Sequence, residues 1–269
     1  MILKRRQNNE QLPSGPPSNI QLKKEPQMTH TKRKSKIILI ILLAVILTLC
    51  GISVWYVNDY YHAVDVDEAL TSSDTVTVSS TATGMLFDGP GTKDALIFYP
   101  GAKVEAIAYA PLLKQIAGSG IDCFLVKMPC NLAFFGMNKA DDIMADYSYE
   151  HWYLAGHSLG GAMAASYAGK HLNDLDGLIL LASYSTSDLT KADFPVISIY
   201  GSNDGILNMD KVVTSRDLMP ADYSEHVIEG GNHAGFGSYG AQKGDHDASI
   251  SHDEQWKETV SVCTSVLKK

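Results

Sequence analysis

The stretch that decides the fold is YLAGHSLGGAMA, residues 153–164. Strand-forming residues lead into Gly156, Ser158 stands two places later, and Gly160 opens an alanine-rich segment that favours a helix. A polar residue between positions with almost no side chain indicates a tight strand-to-helix turn, where close backbone packing excludes a Cβ on the neighbours. The pattern G-x-S-x-G therefore predicts a serine whose hydroxyl projects from the end of a strand.

The segments on both sides of this turn alternate between short apolar runs and amphipathic stretches. Strands that are apolar throughout are typical of a mostly parallel sheet covered by helices on both faces. Strands are predicted at residues 95–99, 121–127, 151–155, 178–182, 196–200 and 226–229, after one or two leading strands between 76 and 88. Helices are predicted at 106–117, 139–147, 159–171, 209–218 and 254–266. The sequence therefore predicts an α/β domain over residues 75–269.

Chemistry in such sheets collects in the loops at the carboxyl ends of the strands. Four of these loops are rich in glycine and polar residues, namely FYPGAKVE (98–105), LAGHSLGG (154–161), YGSNDGIL (200–207) and IEGGNHAGFG (228–237). Because the carboxyl ends of parallel strands share one edge of the sheet, we expect these loops to meet there.

Ser158 needs a base, since a serine hydroxyl alone is a weak nucleophile. His233 follows the last predicted strand and is the predicted base, with the alternative that it only stabilises a glycine-rich loop. An acid must orient that imidazole, and Asp204 is the predicted acid, with Asp188 and Asp210 as the alternatives. These residues predict a Ser-His-Asp catalytic triad.

The negative charge that develops on a substrate oxygen requires N–H donors close to Ser158. The N–H of Leu159, at the start of a predicted helix, is one expected donor. The other is the N–H of Ala102, in the loop after the first buried strand, with Gly101 as the next choice. Together they form the predicted oxyanion hole.

The connection between residues 183 and 194 is too short for a lid domain before the next strand. We therefore expect an open apolar cleft, suited to short acyl or small aromatic esters rather than long triglycerides. The predicted walls of this substrate pocket are Leu132, Phe134, Phe135, Met137 and Tyr184. In the alternative, which the sequence leaves open, the apolar residues after 131 only pack in the core.

The stretch GDHDASISHDE, residues 244–254, collects side chains that bind metals elsewhere, namely His246, Asp247, His252 and Asp253. Hydrophilic loops collect the same residues, and a solvated loop is the prediction here. No metal site and no cofactor are expected.

The N-terminal part of the chain has a different composition. Residues 1–36 contain nine Lys or Arg and two acids without an apolar period, which predicts a disordered basic arm. Residues 37–58 are uncharged and long enough for a helix that crosses a bilayer. Because basic flanks stay cytoplasmic, we expect an uncleaved signal-anchor, a cytoplasmic arm, a stalk at 59–74 and an extracellular domain. A cleaved signal peptide and a buried core helix are the alternatives.

The net charge of −8 hides a division along the chain. Outside the basic arm the chain has 13 basic and 28 acidic residues, which would repel nucleic-acid phosphates. We therefore expect no nucleic-acid partner. The expected partners are a small acyl substrate and the membrane around residues 37–58, and the sequence does not determine the oligomeric state.

From about residue 84 to 266 the chain resembles the α/β-hydrolase superfamily. The stretches FYPGAKVEAIAYAPLLKQIA, VKMPCNLAFFG, GHSLGG, YGSNDGI and EGGNHAGFGSYG are similar to a small bacterial group, alpha/beta hydrolase fold-5, related to the dienelactone hydrolases. The resemblance implies hydrolysis of esters or related acyl compounds by Ser158, Asp204 and His233. The chain departs from dienelactone hydrolases, which use a cysteine where Ser158 stands. It also departs from many lipases, which have HG where this chain has YPG.

The function expected from these residues is that of a membrane-anchored serine hydrolase, which cleaves carboxylic esters through an acyl-enzyme. One alternative is an acyltransferase that acts on cell-envelope components with the same triad. The other is a binding module without catalysis. Transfer of the acyl group to an alcohol in preference to water would identify the first, and covalent labelling of Ser158 by a fluorophosphonate would exclude the second.

Overall fold

The computed structural model describes Gly15 and residues 30–267 of the chain. Most of the predicted basic arm, residues 1–36, lies outside the described residues, and its last residues belong to the first helix. The chain divides into two units, Met1–Ile52 and Ser53–Lys269.

The first helix, α1 (His30–Asn58), contains the predicted membrane span and begins before it. From Ile37 to its end no charged residue interrupts it. In the part of the chain that the structure describes, it is the one helix long and apolar enough to cross a membrane. Its length and composition suit a membrane anchor or a signal sequence.

The described part of the second unit contains eight strands that form one sheet. They are β1 (Thr77–Ser80), β2 (Gly84–Asp88), β3 (Asp94–Tyr99), β4 (Asp122–Val126), β5 (His151–His157), β6 (Gly177–Leu181), β7 (Val196–Gly201) and β8 (Tyr223–Ile228). Their order in the sheet is β1-β2-β4-β3-β5-β6-β7-β8. β1 pairs with β2, and β2 with β4, in antiparallel fashion, whereas every pair from β4 to β8 is parallel.

Helices cover both faces of this sheet. They are α2 (Ala110–Gly118), α3 (Lys139–Asp146), α4 (Leu159–Ala168), α5 (Met209–Ser215) and α6 (His252–Leu267). Along β3, Leu96 and Phe98 pack in one core with α2 and α6, whereas Ile97 and Tyr99 pack in the other with α3 and α4. This alternation follows from the two-residue period of a strand. The structure confirms the predicted fold class, an α/β sheet that is mostly parallel with helices on both faces.

Several element boundaries differ from the prediction, and two of the differences have a clear physical reason. The segment predicted as one helix, 106–117, is a 3₁₀ turn (Ala106–Tyr109) followed by α2, because Pro111 suits the first turn of a helix and cannot donate inside one. Strand β8 begins three residues earlier than predicted. Its first residues are half-buried or exposed and therefore do not form the apolar run on which the prediction relied.

The segment predicted as a stalk, residues 59–74, packs along the domain. The N–H of Tyr61 donates to the carbonyl of Lys103 at 2.7 Å. Tyr61 and Val104 form an isolated parallel β-bridge. Val66 and Ala69 are buried, and Ala69 packs in the core shared with α2 and α6. In the sequence, Val66 and Ala69 belong to no apolar run or period of the length of a strand or helix, so their burial was not predicted. Residues 59–74 therefore contribute to the domain's core.

Candidate active site

Ser158 occupies the turn between β5 and α4. Its backbone has φ 52° and ψ −121°, a left-handed conformation that costs a non-glycine residue about 1–3 kcal/mol. The N–H of Ser158 donates to the carbonyl of Leu181, at the end of β6, at 2.9 Å. A Cβ on Gly160 would overlap the backbone of Tyr99, and one on Gly156 would overlap the backbone of Gly160. The glycines therefore allow the close backbone approach that the turn requires.

His233 and Asp204 form a buried pair at the carboxyl edge of the sheet. His233 Nδ1 lies 2.9 Å from Asp204 Oδ2, and the two side chains are only 1% and 2% exposed. The other carboxylate oxygen, Oδ1, accepts the backbone N–H groups of Ile206 at 2.8 Å and Leu207 at 2.7 Å. Since a carboxylate accepts and does not donate, His233 carries its proton on Nδ1 and keeps a lone pair on Nε2.

The two alternative acids lie elsewhere. The carboxylate of Asp188 accepts the N–H and the hydroxyl of Thr190, and Asp210 is exposed on α5. Among the described residues, neither forms a hydrogen bond or an ion pair with His233. The structure therefore brings Asp204, and not its rivals, to this histidine.

Ser158 and His233 line one cavity of about 240 Å³. The Nε2 atom of His233 is buried and has no hydrogen-bond partner, and no hydrogen bond joins it to Ser158 in this structure. A buried nitrogen without a partner is uncommon in proteins, and one that belongs to a residue lining a cavity is a candidate for contact with a substrate. Contacts between a serine and its base are often long in the absence of substrate. The arrangement could therefore activate the hydroxyl of Ser158 if a bound substrate brings it into contact with Nε2 of His233.

The two predicted oxyanion donors differ in their contacts from the neighbouring N–H of Gly101. The N–H of Leu159 is the first of α4 and has no acceptor within the helix. The N–H of Gly101 donates to the hydroxyl of Tyr109 at 3.1 Å, whereas that of Ala102 has no acceptor within the described chain. The N–H groups of Leu159 and Ala102 thus have no acceptor among the described residues, and their role as oxyanion donors stays a prediction.

The predicted pocket walls need a correction. Tyr184 lines the cavity that contains Ser158, but Leu132, Phe134 and Phe135 do not. The two phenylalanines are 68% and 58% exposed and border a separate surface depression together with Met137.

The physical reason lies in the backbone after β4. Cys130 and Asn131 have φ values of 55° and 52°, which reverse the chain, and the carbonyl of Asn131 accepts the N–H of Lys103 at 2.8 Å. The apolar segment that follows is thereby turned away from Ser158. Its exposed part is neither the predicted pocket wall nor core packing.

The cavity walls come instead from the loop after Asp204. Ile206 and Leu207 face Ser158 together with Ala162 on α4 and Tyr184. The signal was present in the sequence, since both apolar residues directly follow the predicted acid in the loop YGSNDGIL. The same backbone that anchors Asp204 therefore shapes the binding space.

Asp245 was missed from the sequence and ties two loops of the site together. Its carboxylate accepts the N–H of Gly205 at 2.9 Å and that of Ala234 at 2.8 Å, next to Asp204 and His233 respectively. Its position in a hydrophilic stretch gave no sign of this contact. Across the described residues, no three His, Cys, Asp or Glu side chains are grouped so as to hold a metal ion.

Comparison with known proteins agrees with this fold. Residues 95–257 match the model of a family described as the alpha/beta hydrolase family. No curated protein matches the chain in sequence.

Solved structures with a similar fold include alpha/beta hydrolase domain-containing protein 10 from mouse. The TM-score is 0.53 at 12% identity, over 72% of this chain and 98% of that one. TT1662 from Thermus thermophilus gives 0.52 at 12%, over 72% and 99% of the two chains. A predicted CIB-like hydrolase from Thermoplasma acidophilum gives 0.52 at 10%, over 71% and 99%. At these identities the likeness shows the fold alone.

Proposed function

This chain belongs to the alpha/beta hydrolase family, whose model matches more than half of its length, and from this we propose that it is a serine hydrolase of small carboxylic esters or related acyl compounds. The observation that carries the proposal is the buried pair of His233 and Asp204, in which the free Nε2 belongs to a residue that shares a cavity with Ser158. A family of hydrolases supplies the reaction class, and these three side chains supply its chemistry.

In the proposed mechanism, the hydroxyl oxygen of Ser158 attacks the carbonyl carbon of the substrate while Nε2 of His233 accepts the hydroxyl proton. The carboxylate of Asp204 stabilises the resulting imidazolium. The N–H groups of Leu159 and Ala102 stabilise the oxyanion of the tetrahedral intermediate. Collapse of that intermediate expels the alcohol, which takes the proton from His233, and leaves an acyl-enzyme. Water then attacks the carbonyl carbon of the acyl-enzyme while His233 accepts a proton from the water. Collapse of the second tetrahedral intermediate breaks the bond to Ser158, whose oxygen takes the proton back from His233, and releases the carboxylic acid.

The cavity supports a small substrate. About 240 Å³ is below the usual range of roughly 300–1,000 Å³ for drug-sized ligands. Its walls combine apolar side chains with Ser158 and His233, and no helix or strand lies between β6 and β7 to cover it. Short acyl groups are therefore the proposed substrates.

A membrane anchor is proposed for α1. A helix of this length exceeds the roughly 30 Å of a bilayer's hydrocarbon core, and the basic residues 32–36 precede its apolar part. By the positive-inside rule the N-terminus is cytoplasmic and the hydrolase domain extracellular. The proposal predicts that the basic N-terminal peptide is recovered from membrane-bound protein, whereas a cleaved signal would remove it.

The catalytic proposal is tested on the full-length chain in detergent with a fluorophosphonate probe and a p-nitrophenyl acetate assay. We expect the probe to label Ser158, and Ser158→Ala to abolish both labelling and turnover. Ser185→Ala is the matched control, because Ser185 is buried nearby and its hydroxyl donates only to the carbonyl of Ser187. Undiminished turnover in Ser158→Ala, with the control active, would reject the serine as nucleophile.

A further inference from the structure

His157 stands directly before the proposed nucleophile and has no part in the mechanism above. Its side chain is buried, with the ring centroid 4.6 Å from that of His233 and 5.7 Å from that of Phe236. Nδ1 lies 2.8 Å from the hydroxyl of Tyr109, and Nε2 lies 3.1 Å from the backbone carbonyl of His233. A second imidazole therefore touches the proposed base through both its ring and its backbone.

The partners of His157 determine where its proton is. A carbonyl oxygen only accepts, so Nε2 carries the proton and donates to His233. In the neutral ring Nδ1 is then an acceptor, and the hydroxyl of Tyr109 donates to it. The oxygen of Tyr109 in turn accepts the N–H of Gly101 at 3.1 Å. The donors therefore follow one another in a single direction, from the N–H of Gly101 through Tyr109 and His157 to the carbonyl of His233.

We propose that Tyr109 and His157 form a positioning relay. The relay fixes the loop of Gly101 and Ala102 relative to the loop of His233, and His157 remains neutral throughout turnover. The inference rests on the proposed function, since it assigns a role within that reaction. The relay connects three of the loops that converge at the sheet edge. It begins at Gly101, beside the proposed donor Ala102, and it ends at the backbone of the proposed base.

The space at Gly101 supports the relay independently. A Cβ at this position would lie 2.8 Å from His157 Nδ1 and 2.8 Å from the hydroxyl oxygen of Tyr109. The relay therefore occupies the volume that any larger residue would need. A shift of Tyr109 or His157 moves the backbone next to the N–H of Ala102, on which the oxyanion depends.

The charge state of His157 matters because its neighbour becomes charged. When His233 accepts the proton of Ser158, a second positive ring only 4.6 Å away would oppose the transfer. Burial lowers the pKa of His157 well below its usual value, and the positive charge of His233 lowers it further. Burial also raises the pKa of Tyr109 above its usual value, so the hydroxyl keeps the proton that it donates.

The other titratable groups near the relay do not favour a charged His157. Tyr239 packs beyond Tyr109, at 6.3 Å between ring centroids, and its pKa is raised by burial. Asp204 lies on the far side of His233 and is paired with it. Within the described residues, no carboxylate forms a hydrogen bond or an ion pair with His157.

The kinetic test compares Tyr109→Phe with Tyr239→Phe in the full-length protein. Tyr239 is a matched control, because it is a buried tyrosine of the same cluster whose hydroxyl donates to Gln242 and not to the relay. Removing one relay hydroxyl frees both Nδ1 of His157 and the N–H of Gly101. Since misplacement by about 1 Å can cost about 100-fold in rate, we expect kcat of Tyr109→Phe to fall about 10- to 100-fold with KM within about twofold.

The comparison uses kcat and Tm of both variants. Rates are normalised to the fraction of chain labelled by the fluorophosphonate, so a folding loss cannot imitate the effect. Both variants should lower Tm to a similar extent, while only Tyr109→Phe lowers kcat. Equal kcat in the two variants, or a kcat loss that disappears after normalisation, would overturn the relay.

A spectroscopic test needs no activity. In ¹⁵N-histidine spectra of the full-length protein, we expect His157 to show a protonated Nε2 and an unprotonated Nδ1, without titration in the pH range of an ordinary imidazole. Titration in that range, or a proton on Nδ1, contradicts the inference. A wild-type protein with neither turnover nor labelling refutes the proposed function, while these spectra still decide the tautomer and charge of His157.

Discussion

Replacing Asp204 by asparagine tests the proposed triad with little change in shape. The Oδ1 atom can still accept the N–H groups of Ile206 and Leu207, so the loop keeps its anchor. The atom that faces His233 changes from an acceptor to an N–H donor. His233 must then present a lone pair on Nδ1, and its proton moves to Nε2. The variant therefore lacks the lone pair that should accept the proton of Ser158.

The size of the effect follows from the contacts of this pair. Recovering the productive tautomer sets the N–H of the new amide against Nδ1–H of His233, in a site where both side chains are almost fully buried. The loss of a hydrogen bond to a charged group costs about 1.5–3 kcal/mol, and a buried donor without a partner costs about 1–3 kcal/mol more. At about 1.4 kcal/mol for each factor of ten, kcat should fall about 100- to 10,000-fold. KM should change little, because Asp204 does not line the cavity.

The assay is steady-state hydrolysis of p-nitrophenyl acetate by the full-length protein, with melting curves for each variant. Asp188→Asn is the matched control, since this exposed carboxylate is bonded only to Thr190, and its kcat should stay within about twofold of wild type. A folded Asp204→Asn protein that retains more than about a tenth of wild-type kcat would refute the assignment. An equal loss in Asp188→Asn would refute it as well.

Two predictions concern stability. Ser158→Gly should raise the free energy of unfolding by about 1 kcal/mol relative to Ser158→Ala, because glycine adopts a φ of 52° without strain; equal melting temperatures of the two variants would contradict this. Glu225→Gln should lower stability by about 0.5–1.5 kcal/mol at pH 7, because this half-buried carboxylate accepts the exposed Arg216 at 2.6 and 2.8 Å as well as two tyrosine hydroxyls. The hydrogen bonds of Arg216 in particular lower the pKa of Glu225, so the carboxylate stabilises the fold above the ordinary carboxyl pKa, and this contribution is lost as the pH falls through the lowered pKa. Urea unfolding at pH 7 and at successively lower pH should therefore show the wild-type advantage shrinking, and a constant difference would show that the charge is not responsible.

The parallel part of the sheet was predictable from the sequence. Strands buried on both faces leave no place for polar side chains, so each strand from β3 to β7 contains an apolar run that pattern alone identifies. Strand β8 was located least well, because only its last residue is buried. The loops that hold Ser158, Asp204 and His233 follow directly from the strands that precede them, which is why their convergence could be expected.

The walls of the cavity could not be predicted in the same way. Which side of a loop faces a cavity depends on backbone turns such as those at Cys130 and Asn131. The left-handed conformation of these two residues was not predicted from the sequence. Asp245 contacts the loops of Asp204 and His233 across 40 and 11 residues of chain, and no local pattern encodes these contacts. His157 likewise reads as part of a motif, and only the fold reveals its partners.

The contacts of residues 59–74 decide where the protein can be cut for work in aqueous buffer. A shortened chain that starts at residue 75 would lose two core side chains, and it would also release the backbone of Lys103, the residue after Ala102. Such a product would lose the proposed hydrolase activity through a loosened loop. An experimenter who compared it with the intact protein would wrongly conclude that the enzyme depends on lipid. A cut made before Tyr61 keeps these contacts and separates the two effects.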